Sequence, residues 1–133
     1  MIRITKEVIN NITAHARQDI SIEACGYLAG KDGVITKHYE LTNIDKSLEH
    51  YSFDPKEQFV TVKDARGLGL ELLANYHSHP ETPARPSNED IKLAHDPSLS
   101  YVIVSLAEAK PSIKSFIIQK GVVEPEPLEI LID

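Results

Sequence analysis

The sequence has little cysteine, few aromatic residues and no run of positive charge. Its one cysteine, Cys25, cannot close an internal disulfide, which points to a reducing compartment and hence to the cytoplasm. No tryptophan is present and aromatics make up 6 %, so a core must be built from the aliphatic residues that bring the apolar share to 41 %. Lys and Arg number 14 against 20 Asp and Glu, a formal charge of -6, and no basic cluster offers phosphate neutralisation; nucleic acid is excluded as the main partner. Nor does any apolar stretch reach the length needed for export or for spanning a membrane. What remains is 133 residues with ordinary apolar and charged content, enough for one domain over residues 1–133 that buries roughly two-thirds of its extended-chain surface.

Helical and strand patterns alternate along the chain. Ile2 to Ile4 reads as a short strand, and Val8, Ile9, Ile12 and Ala16 recur at helical spacing from about Thr5, a natural N-cap, to Gln18. Glu23 to Gly30 and Val34 to Leu41 form a hairpin about the turn Lys31-Asp32-Gly33. Thr42 to Ser52 is a polar loop of the kind that carries binding function. Asp54-Pro55 with Glu57 opens a second helix that Gly67 and Gly69 end. Glu71 to Tyr76 reads as a buried strand, and after a loop punctuated by Pro80, Pro83 and Pro86 a helix of about two turns starts at Ser87. Tyr101 to Leu106, Ile113 to Gln119 and an edge strand from Leu128 to Ile132 complete an α/β or α+β pattern.

The chemistry concentrates in one stretch. His77 and His79, two apart at a strand end, leave the same face and can converge on one point, as a metal requires. Two neutral imidazoles favour zinc, which in catalytic sites takes three protein ligands at about 2.0 to 2.2 Å. Asp90, one turn into the following helix, is the best local third ligand, giving His-x-His-x(7)-Ser-x-x-Asp. Ser87 and Asp90 also make an ordinary capping arrangement, and a histidine pair on a strand end is more often surface decoration. Their conjunction, however, arises by chance about once in a thousand sequences of this composition. Metal-assisted hydrolysis also needs a proton shuttle, and Glu23 stands out because it enters the small apolar run EACGYLAG, where solvation gives no reason for a charge. Gly26 and Gly30 in that run admit close approach of another backbone.

Glu23 within EACGYLAG, followed by HSHPETPARPSNED, resembles the signature of the JAMM (MPN-plus) zinc metallopeptidases. The similarity spans roughly residues 20 to 106 and is greatest to the small bacterial Mec-like branch, hydrolases of sulfur-carrier-protein conjugates. This resemblance implies a cytidine-deaminase-like JAMM/MPN fold, a mixed β-sheet flanked by helices. It implies one Zn2+ per chain held by His77, His79 and Asp90, with Glu23 as general acid/base and Ser87 helping to hold the polarised water or oxyanion. The implied reaction is hydrolysis of an amide or isopeptide bond at the extended C-terminal tail of a ubiquitin-like or sulfur carrier protein, with Thr42 to Ser52 and Glu81 to Pro86 as walls for that tail.

Other reactive side chains read as bystanders. Cys25 behaves as a small buried hydrophobe, His15, His38 and His50 are isolated and expected at the surface, and His95, five residues beyond Asp90 and about 140° around the helix, points elsewhere. Arg85 is a solvated loop charge unless it meets a substrate carboxylate. Three alternatives share the motif or fold. A non-catalytic MPN-type scaffold is opposed by the intact motif, and a RadC-like protein by the net acidity. A zinc nucleobase deaminase would need a Cys-x-x-Cys pair.

Overall fold

The computed structural model describes residues 1–132. Strand β1 (Ile2–Thr5) runs into helix α1 (Lys6–Gln18), and the Thr5 hydroxyl caps it by accepting the Val8 N–H at 3.3 Å. Val8, Ile9, Ile12, His15 and Ala16 are the buried face of α1. His15 departs from the expected surface placement. It follows Ile12 by one helical turn and is 5 % exposed, held by the Tyr76 hydroxyl at 2.7 Å and by Asp19 at 3.3 Å.

Strands β2 (Cys25–Lys31) and β3 (Val34–Leu41) form the expected hairpin. Its turn residues Asp32 and Gly33 have φ of 54° and 77°, the left-handed pair that a tight hairpin turn demands. Helix α2 (Pro55–Gly67) begins where Asp54 accepts the Lys56 N–H at 2.9 Å. Strand β4 (Glu71–His79) extends through both histidines. It is followed by α3 (Asn88–Lys92), β5 (Ser100–Ser105), β6 (Ser112–Gln119), β7 (Val122–Glu126) and β8 (Leu128–Leu131). Helix α3 is shorter than the two turns expected. Strand β7 adds to the expected strands; it contains Pro125 and pairs only with β6 at the sheet edge, where a missing N–H is tolerated.

One sheet of order β7-β6-β5-β4-β2-β3-β1-β8 carries these strands. Near its centre, β4 runs antiparallel to β2 and parallel to β5. Ile4, Ile12, Leu28, Ile35, Ala74, Tyr76, Val102 and Val104 join α1 in the larger core cluster. Tyr101, Ile103, Phe116, Ile118 and Ala84 build a smaller cluster beneath the proline loop. Close approach of β2 to its neighbours needs glycine: a Cβ on Gly26 would lie 2.0 Å from the Tyr39 carbonyl oxygen and 2.6 Å from the Tyr76 ring. The parallel β4–β5 step requires a crossover, and that crossover contains the proline loop and α3. The end of β4 and the start of α3 therefore face each other across a short segment.

Candidate metal centre

Strand pleating puts His77 and His79 on the face of β4 away from Tyr76. The loop after β4 is pinned to β5 by the Ser105 hydroxyl, which donates to the Thr82 carbonyl at 2.6 Å, and by Ala84, buried in the smaller cluster. From there Ser87 opens α3 with a reciprocal capping box. Its hydroxyl oxygen accepts the Asp90 N–H at 3.0 Å, and its own N–H donates to Asp90 Oδ2 at 2.9 Å. The cap thus aims the Asp90 carboxylate at the strand end. Oδ2 lies 3.1 Å from His77 Nε2 and 3.0 Å from His79 Nε2, and those two nitrogens are 3.1 Å apart. All three side chains are buried.

This triangle does not satisfy itself. The Pro83 carbonyl, 2.8 Å from His79 Nδ1, can only accept, so Nδ1 carries the proton. With a neutral ring, Nε2 then turns a lone pair toward Asp90 Oδ2, a second acceptor. Two lone pairs at 3.0 Å require a proton or a metal ion between them. Donor atoms around a tetrahedral ion at 2.0 to 2.1 Å stand about 3.3 Å apart, close to the spacing observed. The Pro83 contact is also the carbonyl partner that metal-bound imidazoles ordinarily have on their second nitrogen. The three residues fit a divalent cation.

The protonation tendencies follow the same demand. Burial lowers the His77 pKa and keeps that ring neutral. Burial is also the largest influence on His79 and opposes its charge, but the hydrogen bonds to Asp90 and the Pro83 carbonyl, with the Asp90 and Glu23 charges, together outweigh it and raise the pKa. Asp90 is held well below the ordinary carboxylate range, its burial overcome by the hydrogen bonds from both histidines.

Glu23 arrives from the stretch before β2. Ser78, between the two histidines, donates its N–H to the Ala24 carbonyl at 2.9 Å, and its hydroxyl accepts the Ala24 N–H at 2.8 Å. This double tie brings Glu23 Oε2 to 4.0 Å from His79 Nε2. The carboxyl is 3 % exposed, and Oε1 has no partner among the described residues. Burial, reinforced by the Asp90 charge, pushes its pKa up to about 8.

The structure thus gathers His77, His79, Asp90 and Glu23 at one point, with Ser87 at the mouth of α3. Two contributors were not foreseen individually, although their loop was. Tyr51 stacks on His77 with ring centroids 4.7 Å apart and 26° between planes. Phe53 and Tyr27 continue an aromatic wall from it. Asn43, 3 % exposed, gathers the loop: its amide donates to the Glu23 and His50 carbonyls, each at 3.0 Å, and its oxygen accepts the Asp45 and Ser52 N–H groups at 3.0 and 3.3 Å. The Tyr51-x-Phe53 pair in a polar stretch was the available signal. Cys25 is buried, and burial pushes its thiol up to about 12, so it is inert packing. Arg85 and His95 are exposed, and Arg85 forms no ion pair among the described residues.

Comparison with known proteins is consistent with this geometry. The family model for prokaryotic homologs of the JAB domain matches residues 5–118. The chain belongs to this JAB family. It is 35 % identical over 131 residues to the CysO-cysteine peptidase of Mycobacterium tuberculosis, covering 96 % of this chain and 90 % of that one. A probable TtuB-protein conjugate cleaving protease of Thermus thermophilus is 32 % identical over 119 residues, covering 89 % and 76 %. A solution structure from Desulfitobacterium hafniense superposes on this JAB domain with a TM-score of 0.92 at 51 % identity, covering 100 % of this chain and 94 % of that one. Among the described residues no helix is long and apolar enough to cross a membrane.

Proposed function

We propose that this JAB-family chain is a zinc-dependent hydrolase of amide or isopeptide bonds, acting as one domain in the cytoplasm on the C-terminal tail of a ubiquitin-like or sulfur carrier protein. The observation that carries the reading is the convergence of His77 Nε2, His79 Nε2 and Asp90 Oδ2 at 3.0 to 3.1 Å, with a buried carboxyl group 4.0 Å from His79. The names of the relatives from M. tuberculosis and T. thermophilus support the substrate class.

In this reading His77, His79 and Asp90 hold one Zn2+ per chain. When bound, the ion supplies Lewis acidity that makes water nucleophilic near neutral pH and draws charge from a carbonyl oxygen. Glu23 takes the proton from the attacking water and returns it to the leaving amine. Its burial suits that role, because a carboxyl group raised toward neutrality can both accept and donate, and positive charge held by the neighbouring three residues favours its ionised form. The Ser87 oxygen is already engaged by the Asp90 N–H, which leaves the hydroxyl hydrogen free to donate to the oxyanion. Residues 42–52 and 81–86 form the walls past which the tail reaches the site. Tyr51 stacks on one face of the His77 ring and restrains its orientation.

The test is to offer zinc-loaded protein several carrier-tail adducts, some with an amino acid and some with a protein as leaving group, and to follow release by mass. Glu23→Gln serves as control. Release by the wild type and none by Glu23→Gln is the expected result. No release from any adduct by protein with stoichiometric zinc overturns the reading. A non-catalytic scaffold is separated by metal content, since it would purify without stoichiometric metal.

A further inference from the structure

We propose that Asn43 is a positioning residue for the reaction, a buried pin that fixes the aim of Glu23 and the seating of the 42–53 loop as one unit. One amide side chain makes both halves of the connection. Its nitrogen donates to the carbonyl of Glu23 itself and to that of His50, the residue before Tyr51. Its oxygen receives Asp45 and Ser52, the two sides of the loop neck. The return tie is the Glu23 N–H, which donates to the Ser47 carbonyl at 2.7 Å. Glu23 is thereby gripped at both backbone polar groups by the loop that carries Tyr51 onto His77.

No close hydrogen bond among the described residues fixes the Glu23 side chain, since Oε1 lacks a partner and Oε2 stands 4.0 Å from His79. Its direction is set by its backbone, which the Ser78 tie to Ala24 holds on the strand side and Asn43, with the Ser47 carbonyl, holds on the loop side. Two further anchors make the pin effective. The Glu57 carboxylate accepts the N–H and hydroxyl of Thr42 at 2.7 and 2.8 Å, fixing the residue before Asn43 to α2. An isolated bridge joins Asn43 to Phe53, closing the neck. No polar group in the chain other than a carboxamide could serve here: two carbonyls need donors, two N–H groups need an acceptor, and all must be met from one buried position.

Substitution separates the two halves. Asn43→Asp keeps the acceptor that closes the neck but places an acceptor against the Glu23 and His50 carbonyls. Asn43→Ala removes both. The kinetic arm rests on the hydrolase reading above. There, each variant lowers kcat by about tenfold to a hundredfold, the cost of a reacting group misplaced by about 1 Å, with zinc stoichiometry and the d–d spectrum of the cobalt-substituted protein unchanged. Asp96→Ala removes the acceptor for the Ser98 N–H and hydroxyl in the turn before β5, outside both the loop and the metal centre, and leaves kcat within about twofold. If it costs as much as Asn43→Asp, or if the Asn43 variants lose kcat only in proportion to lost metal, the proposal falls.

Hydrogen exchange on metal-free wild-type protein needs neither activity nor a folded variant. The Glu23, Asp45 and Ser52 amides are expected to exchange through one shared opening, slower than exposed loop amides and faster than the α1 core. Glu23 exchanging only with global unfolding while the loop amides exchange freely would show two independent units and overturn the pin. If the wild type cleaves no adduct yet these amides open together, the substrate reading has failed and the pin stands.

Discussion

On the α1 side of β4, Tyr76 and Ser78 are buried with partners in place: the Tyr76 hydroxyl meets His15, and the Ser78 hydroxyl accepts the Ala24 N–H. On the opposite side of the same strand, Asn75 Oδ1 and His77 Nδ1 are buried without a partner, and Glu23 Oε1, held over that face, makes a third. The described residues contain no other unpartnered buried side-chain N or O atom. Such atoms are costly, about 1 to 3 kcal/mol each, and a fold evolved for stability alone removes them. One side of the strand is a finished core, whereas the other carries buried polar atoms that the described residues leave unmatched.

The largest expected effect comes from breaking the unfinished side. His79→Ala and Asp90→Ala each remove a convergent donor, and both should purify without stoichiometric zinc and show no turnover above background. Metal analysis beside the activity assay checks this. Glu23→Gln should retain the metal and lose about two to four orders of magnitude in turnover, because only the proton shuttle is gone. Its metal-free form should unfold at a denaturant midpoint no lower than that of the wild type, since the substitution removes a buried acid that has no partner at Oε1. A clear loss of stability in Glu23→Gln would place that carboxyl in the finished core instead.

Ser87 tests whether one side chain serves both purposes. Ser87→Ala loses an N-cap worth about 1 kcal/mol of stability and is expected to lose two to three orders of magnitude in turnover. Ser87→Asn keeps a capping side chain, so it should recover the stability without the turnover. Recovery of both would assign Ser87 to the helix cap alone.

The site was legible where its parts are contiguous in sequence. Residues 77 to 90 form one strand end, one loop and one helix start, so spacing alone brings His77, His79 and Asp90 together. Glu23 was legible as a charge misplaced in an apolar run. Asn43 and Tyr51 were not, because their importance depends on how a loop lies over a strand distant in sequence, which no local period encodes. Strand β7 escaped because Pro125 is a strand breaker except at an edge, and edge position is a property of the finished sheet. His15 escaped for a different reason. It shares the period of Ile12 and was set aside by residue type, while its polar atoms had partners waiting on Tyr76 and Asp19.

The smallest effect on catalysis is expected on the finished side, and it gives the comparison its control. His15 Nε2 faces the Asp19 carboxylate, which can only accept from it, so in a neutral ring Nδ1 accepts the Tyr76 hydroxyl. Tyr76→Phe keeps the ring that packs beside Gly26 but strands His15 Nδ1 in a core where that residue is 5 % exposed. The expected cost is about 1 to 3 kcal/mol in denaturant unfolding, with zinc content unchanged and turnover within about twofold. Tyr76 is the immediate neighbour of His77, so adjacency in sequence cannot account for an outcome that leaves the metal centre untouched. Only the pleat can, by sending consecutive side chains to opposite faces. A Tyr76→Phe variant that kept its stability and lost turnover would mean that the α1 face is coupled to the chemistry, and the division between the two sides of β4 would no longer hold.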